Sequence, residues 1–295
     1  MKLRLGTRGS ALAVAQSSQV ARALEAAQPG LTVELVLITT TGDALQQGGA
    51  KPEPLTKAIF TKEIEEALLE GRVDLAVHSS KDLAAAMPED LAIGAFPVRA
   101  SWADVLVSRD GLEAVLAAPG PQIATGSARR RLQWAERQPV VRFAALRGNI
   151  DTRLRRLRET PEWDGIVLAA AGLARLEPEL DGLRVDALPE EWMLPAPGQG
   201  ALALQVRAAD ARAREIVACL DHAPTRRAVE AERAFLTAMN AGCDIPLGAL
   251  AVEAGSGLQM RAAFYPPGTV VARRAEAAGD DPLELGRRMA DTMGR

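Results

Sequence analysis

The sequence predicts an α/β fold followed by a small α+β domain. Strand-like and helix-like stretches alternate over most of the chain. Turns rich in glycine and polar side chains follow several apolar strands, which is where open α/β sheets place their ligand contacts. The closing segment instead groups three strand candidates between two helical patterns, as is typical of α+β domains.

Length and composition indicate an ordinary globular protein of more than one domain. At 295 residues the chain is long enough for two or three domains of about 100 to 150 residues each. A formal net charge of -3 and an aromatic content of 3% do not favour a nucleic-acid-binding surface. The start of the chain lacks a signal-peptide layout, and no apolar run approaches the roughly 20 residues that span a bilayer. We therefore expect a cytoplasmic protein without nucleic-acid or membrane partners.

The cysteines and histidines do not form a metal-binding pattern. Cys219 and Cys243 are the only cysteines, and His78 and His222 lie far apart in the chain. We expect no disulfide in a reducing compartment and no zinc site. Cys243 occupies a tight turn between a helical and a strand pattern, so it is either an exposed reactive thiol or a small buried apolar residue.

The first strand-to-helix turn has the features of an anion site. Lys2 to Thr7 predicts a strand and Ser10 to about Ala27 a helix. Between them, Ser10 is a candidate helix cap and Arg8 a charge partner, which suits a carboxylate or a phosphate.

A long polar stretch follows the second predicted strand, Thr32 to Thr40. It is either a lid over a site or a disordered insertion, and Lys57 lies at its far end. A helix carrying Ile64, Ala67 and Leu68 comes next and stops at Gly71.

The apolar strand predicted from Val73 to Val77 leads into His78, Ser79, Ser80, Lys81 and Asp82. A Ser-His-Asp hydrolase is disfavoured, because adjacent residues of an extended chain point to opposite faces. Asp82 beside Lys81 is either an ordinary loop ion pair or a carboxylate kept ionised to stabilise a cationic intermediate.

A second series of strands and helices repeats this arrangement. Strands are predicted at Ala103 to Ser108, Gln122 to Thr125, Val140 to Leu146 and Ile166 to Ala171, with helices starting near Ala128 and Asp151. Arginine is unfavourable near a helix amino terminus unless an anion offsets the repulsion. Arginines nevertheless follow strand ends repeatedly, which predicts a small polyanionic ligand: Arg8, Arg129, Arg130, Arg147, Arg153 and Arg175.

The segment from Leu194 to Gly200 predicts a hinge or crossover, because its prolines forbid regular structure. The remaining elements are helices at Asp210 to Leu220, Thr225 to Met239 and Pro282 to Met293, and strands at Ala249 to Glu253, Gln259 to Tyr265 and Thr269 to Ala275.

Six motifs in order resemble those of the hydroxymethylbilane synthase family, also called porphobilinogen deaminases. They are Thr-Arg-Gly-Ser-Ala-Leu-Ala from Thr7, His-Ser-Ser-Lys-Asp from His78, Thr-Gly-Ser-Ala-Arg-Arg from Thr125, Arg-Gly-Asn from Arg147, Pro-Gly-Gln-Gly-Ala from Pro197 and Gly-Cys-Asp-Ile-Pro-Leu-Gly from Gly242. The resemblance covers nearly the whole chain.

The resemblance implies a monomer of three domains. Two would be α/β domains with mostly parallel sheets, like periplasmic binding proteins, and the third a small α+β domain carrying the cysteine. The expected boundaries are 1–97 with 198–216, 98–197, and 217–295. Hinge motion is expected at Pro97 to Ser101 and Leu194 to Gln199.

The resemblance also implies the reaction, a step of tetrapyrrole and haem biosynthesis. Four porphobilinogen molecules are condensed head to tail with loss of ammonia, and linear hydroxymethylbilane is released by hydrolysis. The primer is a dipyrromethane cofactor joined by a thioether to a cysteine that matches Cys243, and the catalytic aspartate matches Asp82.

By motif match, further residues would bind carboxylates of the pyrrole chain. Cofactor contacts are expected from Ser79, Lys81, Thr125, Ser127, Arg129, Arg130, Arg147 and Gly148, and substrate contacts from Arg8, Ser10, Lys57, Arg153, Arg175 and Gln199. Before Lys57 this chain has Pro54-Leu55-Thr56, where many members are glycine-rich, and Asp244 follows the cysteine at a variable position.

A second class of function remains open from the residues alone. A non-catalytic binding protein for a small anion would explain the strand-end arginines, but it leaves Cys243 and its domain without a role.

Overall fold

The computed structural model describes residues 1–41, 61–84, 86–240 and 245–294. The chain forms two compact units: unit 1 comprises Met1–Ala100 with Ala201–Val229, and unit 2 comprises Ser101–Gly200 with Glu230–Arg295. The predictions on the long polar loop, Lys57 and Cys243 lie outside the described residues.

Unit 1 is built on a five-stranded sheet with helices on both faces. Its strands are β1 (Lys2–Arg8), β2 (Thr32–Ile38), β3 (Leu75–Ser79), β4 (Leu91–Ala95) and β10 (Leu202–Arg207), in the order β2-β1-β3-β10-β4. Its helices include α1 (Ala11–Ala27), α2 (Lys62–Leu69) and α7 (Ala211–Ala218). Strand β1 pairs in parallel with β2 and β3, and β10 pairs antiparallel with β3 and β4. The carboxyl ends of β2, β1 and β3 therefore meet at one edge.

Alternating side chains of the unit 1 strands form a separate core on each face of the sheet. Leu75 and Val77 pack with Leu24 of α1. Ala76 lies between them in sequence and packs with Ile64 and the other apolar residues of α2. This is the period-2 pattern of a strand buried on both faces.

Unit 2 contains a second sheet with the same directions. Its strands are β5 (Asp104–Ser108), β6 (Gln122–Ala124), β7 (Arg142–Ala144), β8 (Gly165–Ala169) and β9 (Arg184–Ala187), in the order β7-β6-β8-β5-β9. Its helices are α3 (Leu112–Ala117), α4 (Ala128–Arg137), α5 (Ile150–Glu159) and α6 (Ala170–Leu176). Strand β6 is parallel to β7 and β8, and β5 is antiparallel to β8 and β9. In each sheet, four strands are parallel to one another and the fifth strand is antiparallel to them.

The last three strands form a small antiparallel sheet. After α8 (Ala223–Ala238) come β11 (Leu247–Ala254), β12 (Gly257–Phe264), β13 (Arg273–Gly279) and α9 (Pro282–Met293), and the strands pair in the order β11-β12-β13. Helix α9 approaches α8 closely at Gly286, where a Cβ would overlap the carbonyl oxygen of Ala231. The predicted fold class, α/β with a small α+β part, is confirmed.

Several predicted elements begin or end elsewhere in the structure. The strand predicted at Val73 to Val77 is Leu75–Ser79 in the structure. The preceding residue, Asp74, is bonded to Arg4 through its carboxylate and its backbone N–H, and the strand begins only after it. The strand predicted at Thr269 to Ala275 is Arg273–Gly279, since the chain first turns after Pro266. The run predicted as strand to Ala171 ends at Ala169, where α6 starts.

Strands β4, β9 and β10 and helices α3 and α6 were not predicted. Strand β10 begins soon after a glycine and proline run, and β9 is only 4 residues long. Within the residues that the structure describes, no helix is long and apolar enough to cross a membrane.

Candidate functional site

The carboxyl end of β1 presents a capped helix start. Ser10 precedes α1, and its Oγ accepts a hydrogen bond from the backbone N–H of Ala13 at 3.4 Å. The predicted cap is therefore confirmed. Arg8 ends β1 and is half-buried. The free N–H groups of the α1 amino terminus and the Arg8 guanidinium thus belong to the same edge, as binding of an anion requires.

The neighbouring end of β3 is held by two hydrogen bonds from outside the strand. The Gln16 amide of α1 donates to Ser79 Oγ at 3.0 Å, and the Ser80 N–H donates to the Ala201 carbonyl at 2.9 Å. A single 3-10 turn, Ser80–Asp82, follows directly. Gln16 was not predicted from the sequence, because its contact with Ser79 spans 63 residues of chain.

Asp82 ends this turn with its side chain exposed to solvent. The preceding Ser80 is buried and Lys81 is half-buried. The carboxylate is therefore accessible, while the backbone that carries it is fixed.

His78 lies on the opposite face of β3 from Ser79. Its Nε2 is 3.0 Å from the Oε1 of Gln205 on β10, whereas Ser79 bonds to Gln16 on α1. The two side chains lie on opposite faces of the sheet and have different partners. This arrangement excludes a Ser79–His78 nucleophile pair. The pKa of His78 is lowered to about 4, mainly by burial and to a smaller extent by the charge of Arg8, while the hydrogen bond to Gln205 and the charge of Asp82 oppose the shift. His78 is neutral at pH 7.

In unit 2 the loops after β6 and β7 meet at one edge. Ser127 caps α4 by accepting from the Arg130 N–H at 3.4 Å, and the Ser127 N–H donates to Thr125 Oγ1 at 3.2 Å. A Cβ at Gly126 would lie 2.7 Å from the carbonyl oxygen of Leu146 in the neighbouring loop. Only glycine permits this approach, which places Thr125 and Ser127 beside the Arg147 loop.

Arg147 and Gly148 form the second of these loops. Arg147 is exposed, and Gly148 has a φ of 109°, a backbone conformation that side chains other than glycine rarely adopt. Arg153 Nε donates to the Gly148 carbonyl at 2.7 Å and so braces the loop from the first turn of α5. Arg175, on α6, donates from Nη2 to the Gly200 carbonyl at 2.7 Å.

Asp104, which the sequence reasoning did not identify, is the centre of a buried ion cluster. It is 0% exposed at the start of β5. Its carboxylate pairs with Arg129 at 2.7 Å and with Arg130 at 2.7 Å, and it accepts from Gln199 Nε2 at 3.0 Å. Arg129 also donates to the Leu194 carbonyl and Arg130 to the Val167 carbonyl.

The cluster is strongly coupled electrostatically. Burial opposes ionisation of Asp104, but the charges of Arg129 and Arg130 outweigh it and hold the pKa of the carboxyl well below its usual range. Burial lowers the pKa of Arg129, and Asp104 opposes that shift. Arg129 therefore links Leu194, at one end of the segment from Leu194 to Gln199, to Asp104 of β5, and Gln199 links the other end to the same carboxylate.

The predicted residues thus fall into two groups. In unit 1 the carboxyl edge of the sheet gathers Arg8, Ser10, Ser79, Lys81 and Asp82. In unit 2 the corresponding edge carries Thr125, Ser127, Arg147, Gly148 and Arg153. Arg129, Arg130 and Gln199 instead surround Asp104, and Arg175 lies on α6. Cys219, the free cysteine among the described residues, is exposed at the end of α7.

Each of the two edges, taken by itself, carries donors that suit carboxylates. Capped helix amino termini, hydroxyls and arginines are present, and one exposed carboxylate, Asp82, accompanies them. This is the geometry of an α/β protein with anion-binding loops at the carboxyl ends of its strands.

Comparison with known proteins narrows this class to one family. The family model described as "Porphobilinogen deaminase, dipyromethane cofactor binding domain" matches residues 3–215, and "Porphobilinogen deaminase, C-terminal domain" matches residues 226–295. The chain belongs to the porphobilinogen deaminase family.

Curated relatives agree over nearly the full length. The chain is 41% identical to the porphobilinogen deaminase of Roseiflexus sp. (strain RS-1) over 99% of this chain and 95% of that protein. It is 42% identical to the porphobilinogen deaminase of Rubrobacter xylanophilus over 98% of this chain and 92% of that protein. Among solved structures, the regulatory domain of MexT from Pseudomonas aeruginosa gives a TM-score of 0.44 at 12% identity, covering 74% of this chain and 97% of that one. We draw no conclusion from a likeness of that size.

Proposed function

We propose that this chain is a hydroxymethylbilane synthase, a transferase that condenses four porphobilinogen molecules head to tail and releases the linear tetrapyrrole by hydrolysis. Membership of the porphobilinogen deaminase family supports the activity. The structural observation that carries the proposal is Asp82, an exposed carboxylate on a fixed turn at the anion-binding edge of unit 1.

The matched family domain binds a dipyrromethane cofactor. The residues present fit such a group, because its acetate and propionate side chains need the donors that Thr125, Ser127, Arg147 and Gly148 present at one edge. When bound, the cofactor supplies the pyrrole to which the first substrate unit is joined. We assign its thioether to Cys243, on the motif match given above.

Asp82 is the proposed catalytic residue. Joining porphobilinogen units requires the aminomethyl nitrogen to leave as ammonia and the attacked pyrrole to lose a proton. A carboxylate close to the substrate pyrrole stabilises the positive charge that develops on its nitrogen and carries the proton. Lys81, beside it in the turn, is proposed to bind a carboxylate of the cofactor.

The remaining cations bind the growing polyanion. Arg8 and Ser10 on unit 1, and Arg153 and Arg175 on unit 2, are proposed substrate contacts together with Lys57. Arg129 makes its contacts with Leu194 and Asp104 through Nη1, and its second amino group, Nη2, is the one proposed to meet a cofactor carboxylate. Arg130, proposed as a second cofactor contact, and Gln199, a proposed substrate contact, also stabilise the frame through Asp104.

The same proposal covers the localisation, oligomeric state, partners and domain organisation of the protein. We assign a cytoplasmic monomer without nucleic-acid or membrane partners, and three domains at 1–97 with 198–216, 98–197 and 217–295. Hinge motion at Pro97 to Ser101 and Leu194 to Gln199 remains a prediction.

Ammonia release tests the proposed function. Purified chain from a host that makes porphobilinogen is given this substrate, and ammonia and linear tetrapyrrole are measured over time. We expect four ammonia molecules per tetrapyrrole, as the condensation requires. Substrate binding without ammonia release would instead support the non-catalytic binding protein.

A further inference from the structure

Three polar side chains, two of them buried and one half-buried, form a hydrogen-bonded chain on the face of β3 opposite Ser79. His78 Nε2 lies 3.0 Å from Gln205 Oε1, and Gln205 Nε2 donates to Glu65 Oε1 at 3.0 Å. His78 comes from β3, Gln205 from β10 and Glu65 from α2. His78 and Gln205 are buried, and the proposed reaction assigns no role to any of the three.

The direction of these hydrogen bonds sets the state of the imidazole. Gln205 gives its amide N–H to the Glu65 carboxylate, so its carbonyl oxygen faces His78 and must accept. Nε2 of His78 therefore carries the proton, and Nδ1 carries none in the neutral ring. Neutrality agrees with the burial of the ring, which lowers the pKa of His78 to about 4.

Charged groups act on the ring from three elements. Asp82, in the turn, raises the pKa of His78, and Arg8, at the end of β1, lowers it. Glu65 acts from α2 through Gln205, and burial raises the pKa of Glu65 itself. The ring stays uncharged between these groups because its desolvation is the largest effect.

The end of β3 is consequently tied on both faces of the sheet. Ser79 is bonded to Gln16 of α1 on one face, and His78 is bonded through Gln205 to Glu65 of α2 on the other. The Ser80 N–H then continues the pairing with Ala201. These ties determine the direction in which the turn leaves the sheet and hence where the Asp82 carboxylate lies.

We propose that His78 is a positioning residue of the reaction: a permanently neutral imidazole, held by Gln205 and Glu65, that orients the Ser80–Asp82 turn and transfers no proton in turnover. The inference rests on the proposed function, because it assigns His78 a part in placing Asp82. A neutral ring also adds no positive charge to compete with a cationic pyrrole for the Asp82 carboxylate.

Two substitutions separate positioning from proton transfer. His78→Gln keeps an amide N–H near the position of Nε2 and cannot titrate, so we expect kcat close to that of the wild type and an unchanged pH profile. His78→Phe keeps the volume but removes the donor, and we expect a fall in kcat of about 10²-fold with little change in KM, the size of effect that misplacement of a catalytic group produces. His222→Gln is the matched control, since His222 bonds to Thr225 at the start of α8 instead.

The protonation state is measured independently on the wild type. The chain has two histidines, so ¹⁵N spectra of the imidazoles are assigned with His222→Gln. We expect a neutral Nε2–H ring for His78 across pH 5.5 to 8. A charged ring or an Nδ1–H tautomer in that range would overturn the proposal, whether or not His78→Phe folds.

The kinetic outcomes are equally decisive. Loss of activity and of one limb of the pH profile in His78→Gln would show that the ring transfers protons. Full kcat in a folded His78→Phe would show that the bond is structural only. An inactive wild type would refute the proposed function instead, which the parallel wild-type assay reveals.

Discussion

The Asp82 carboxylate is exposed on a turn whose backbone is held by neighbouring strands. Replacing it by alanine removes no buried contact, so we expect Asp82→Ala to fold normally. Its kcat should fall by about 10² to 10⁴-fold, the usual contribution of a general acid or base. Circular dichroism and steady-state turnover of porphobilinogen measure the two effects.

Asp90→Ala is the matched control, because Asp90 is an exposed aspartate of the same unit beyond the β3 turn. Its activity should equal that of the wild type. A fully active Asp82→Ala would remove Asp82 from the mechanism.

Burial of His78 also makes the stability of the protein depend on pH. Its pKa falls from the ordinary value of 6.5 to about 4 on folding, so between these values the unfolded chain binds a proton that the folded chain does not. The contribution is fully present above pH 6.5. It is lost as the pH falls toward 4, at up to about 1.4 kcal/mol per pH unit.

The test compares urea unfolding of the wild type and His78→Gln at several pH values. Glu65 and the other carboxylates titrate in both proteins, so the difference between the curves isolates His78. We expect the wild type to lose more stability between pH 6.5 and 4. If the free energies of unfolding of the two proteins changed with pH in parallel, the pKa of His78 would be the same in the folded and the unfolded state.

At the scale of elements, Asp104 joins the start of β5 to the first turn of α4. Asp104→Asn leaves Arg129 and Arg130 buried beside a neutral group. Breaking a buried ion pair in this way costs about 3 to 5 kcal/mol. We expect a matching loss in the free energy of unfolding at pH 7.

Asp110→Asn serves as its control, since Asp110 is exposed in the same unit. Equal unfolding midpoints for the two variants would contradict the structural role of the cluster.

Contact between the loops after β6 and β7 in unit 2 depends on Gly126. In Gly126→Ala the new Cβ would lie 2.7 Å from the Leu146 carbonyl oxygen, so the loops must separate. We expect a loss of stability of about 1 to 3 kcal/mol and a raised KM. Gly120→Ala is the control, because its Cβ would meet only the Val140 carbonyl oxygen at 3.8 Å. A normal KM in Gly126→Ala would show that the approach of the loops is dispensable for binding.

The sequence predicts elements well where local signals agree. Helix α9 has a cap at Asp281, proline in its first turn and an apolar face, and it lies where it was predicted. The caps Ser10 and Ser127 are likewise local signals, readable from a hydroxyl before a helical pattern. Strand β10 lacks such signals, because it pairs with β3 from a distant part of the chain.

The same limit applies within the site. Asp104 at the start of an apolar strand has the appearance of a surface turn residue, and only the fold brings it to Arg129 and Gln199. The bond between His78 and Gln205 joins residues 127 positions apart, so no spacing rule reveals it. The capped turns at the strand ends were predictable from local signals, whereas the buried network that supports them was not.

At the scale of the whole molecule, the proposed reaction depends on one covalent bond, the thioether between the dipyrromethane cofactor and Cys243. Intact mass and peptide mapping of the native protein, Cys243→Ser and Cys219→Ser test it most directly, in a host that makes porphobilinogen. The account predicts a two-pyrrole adduct on the wild type and on Cys219→Ser, and none on a folded Cys243→Ser. An unmodified wild type, or an adduct that maps to Cys219, would contradict it.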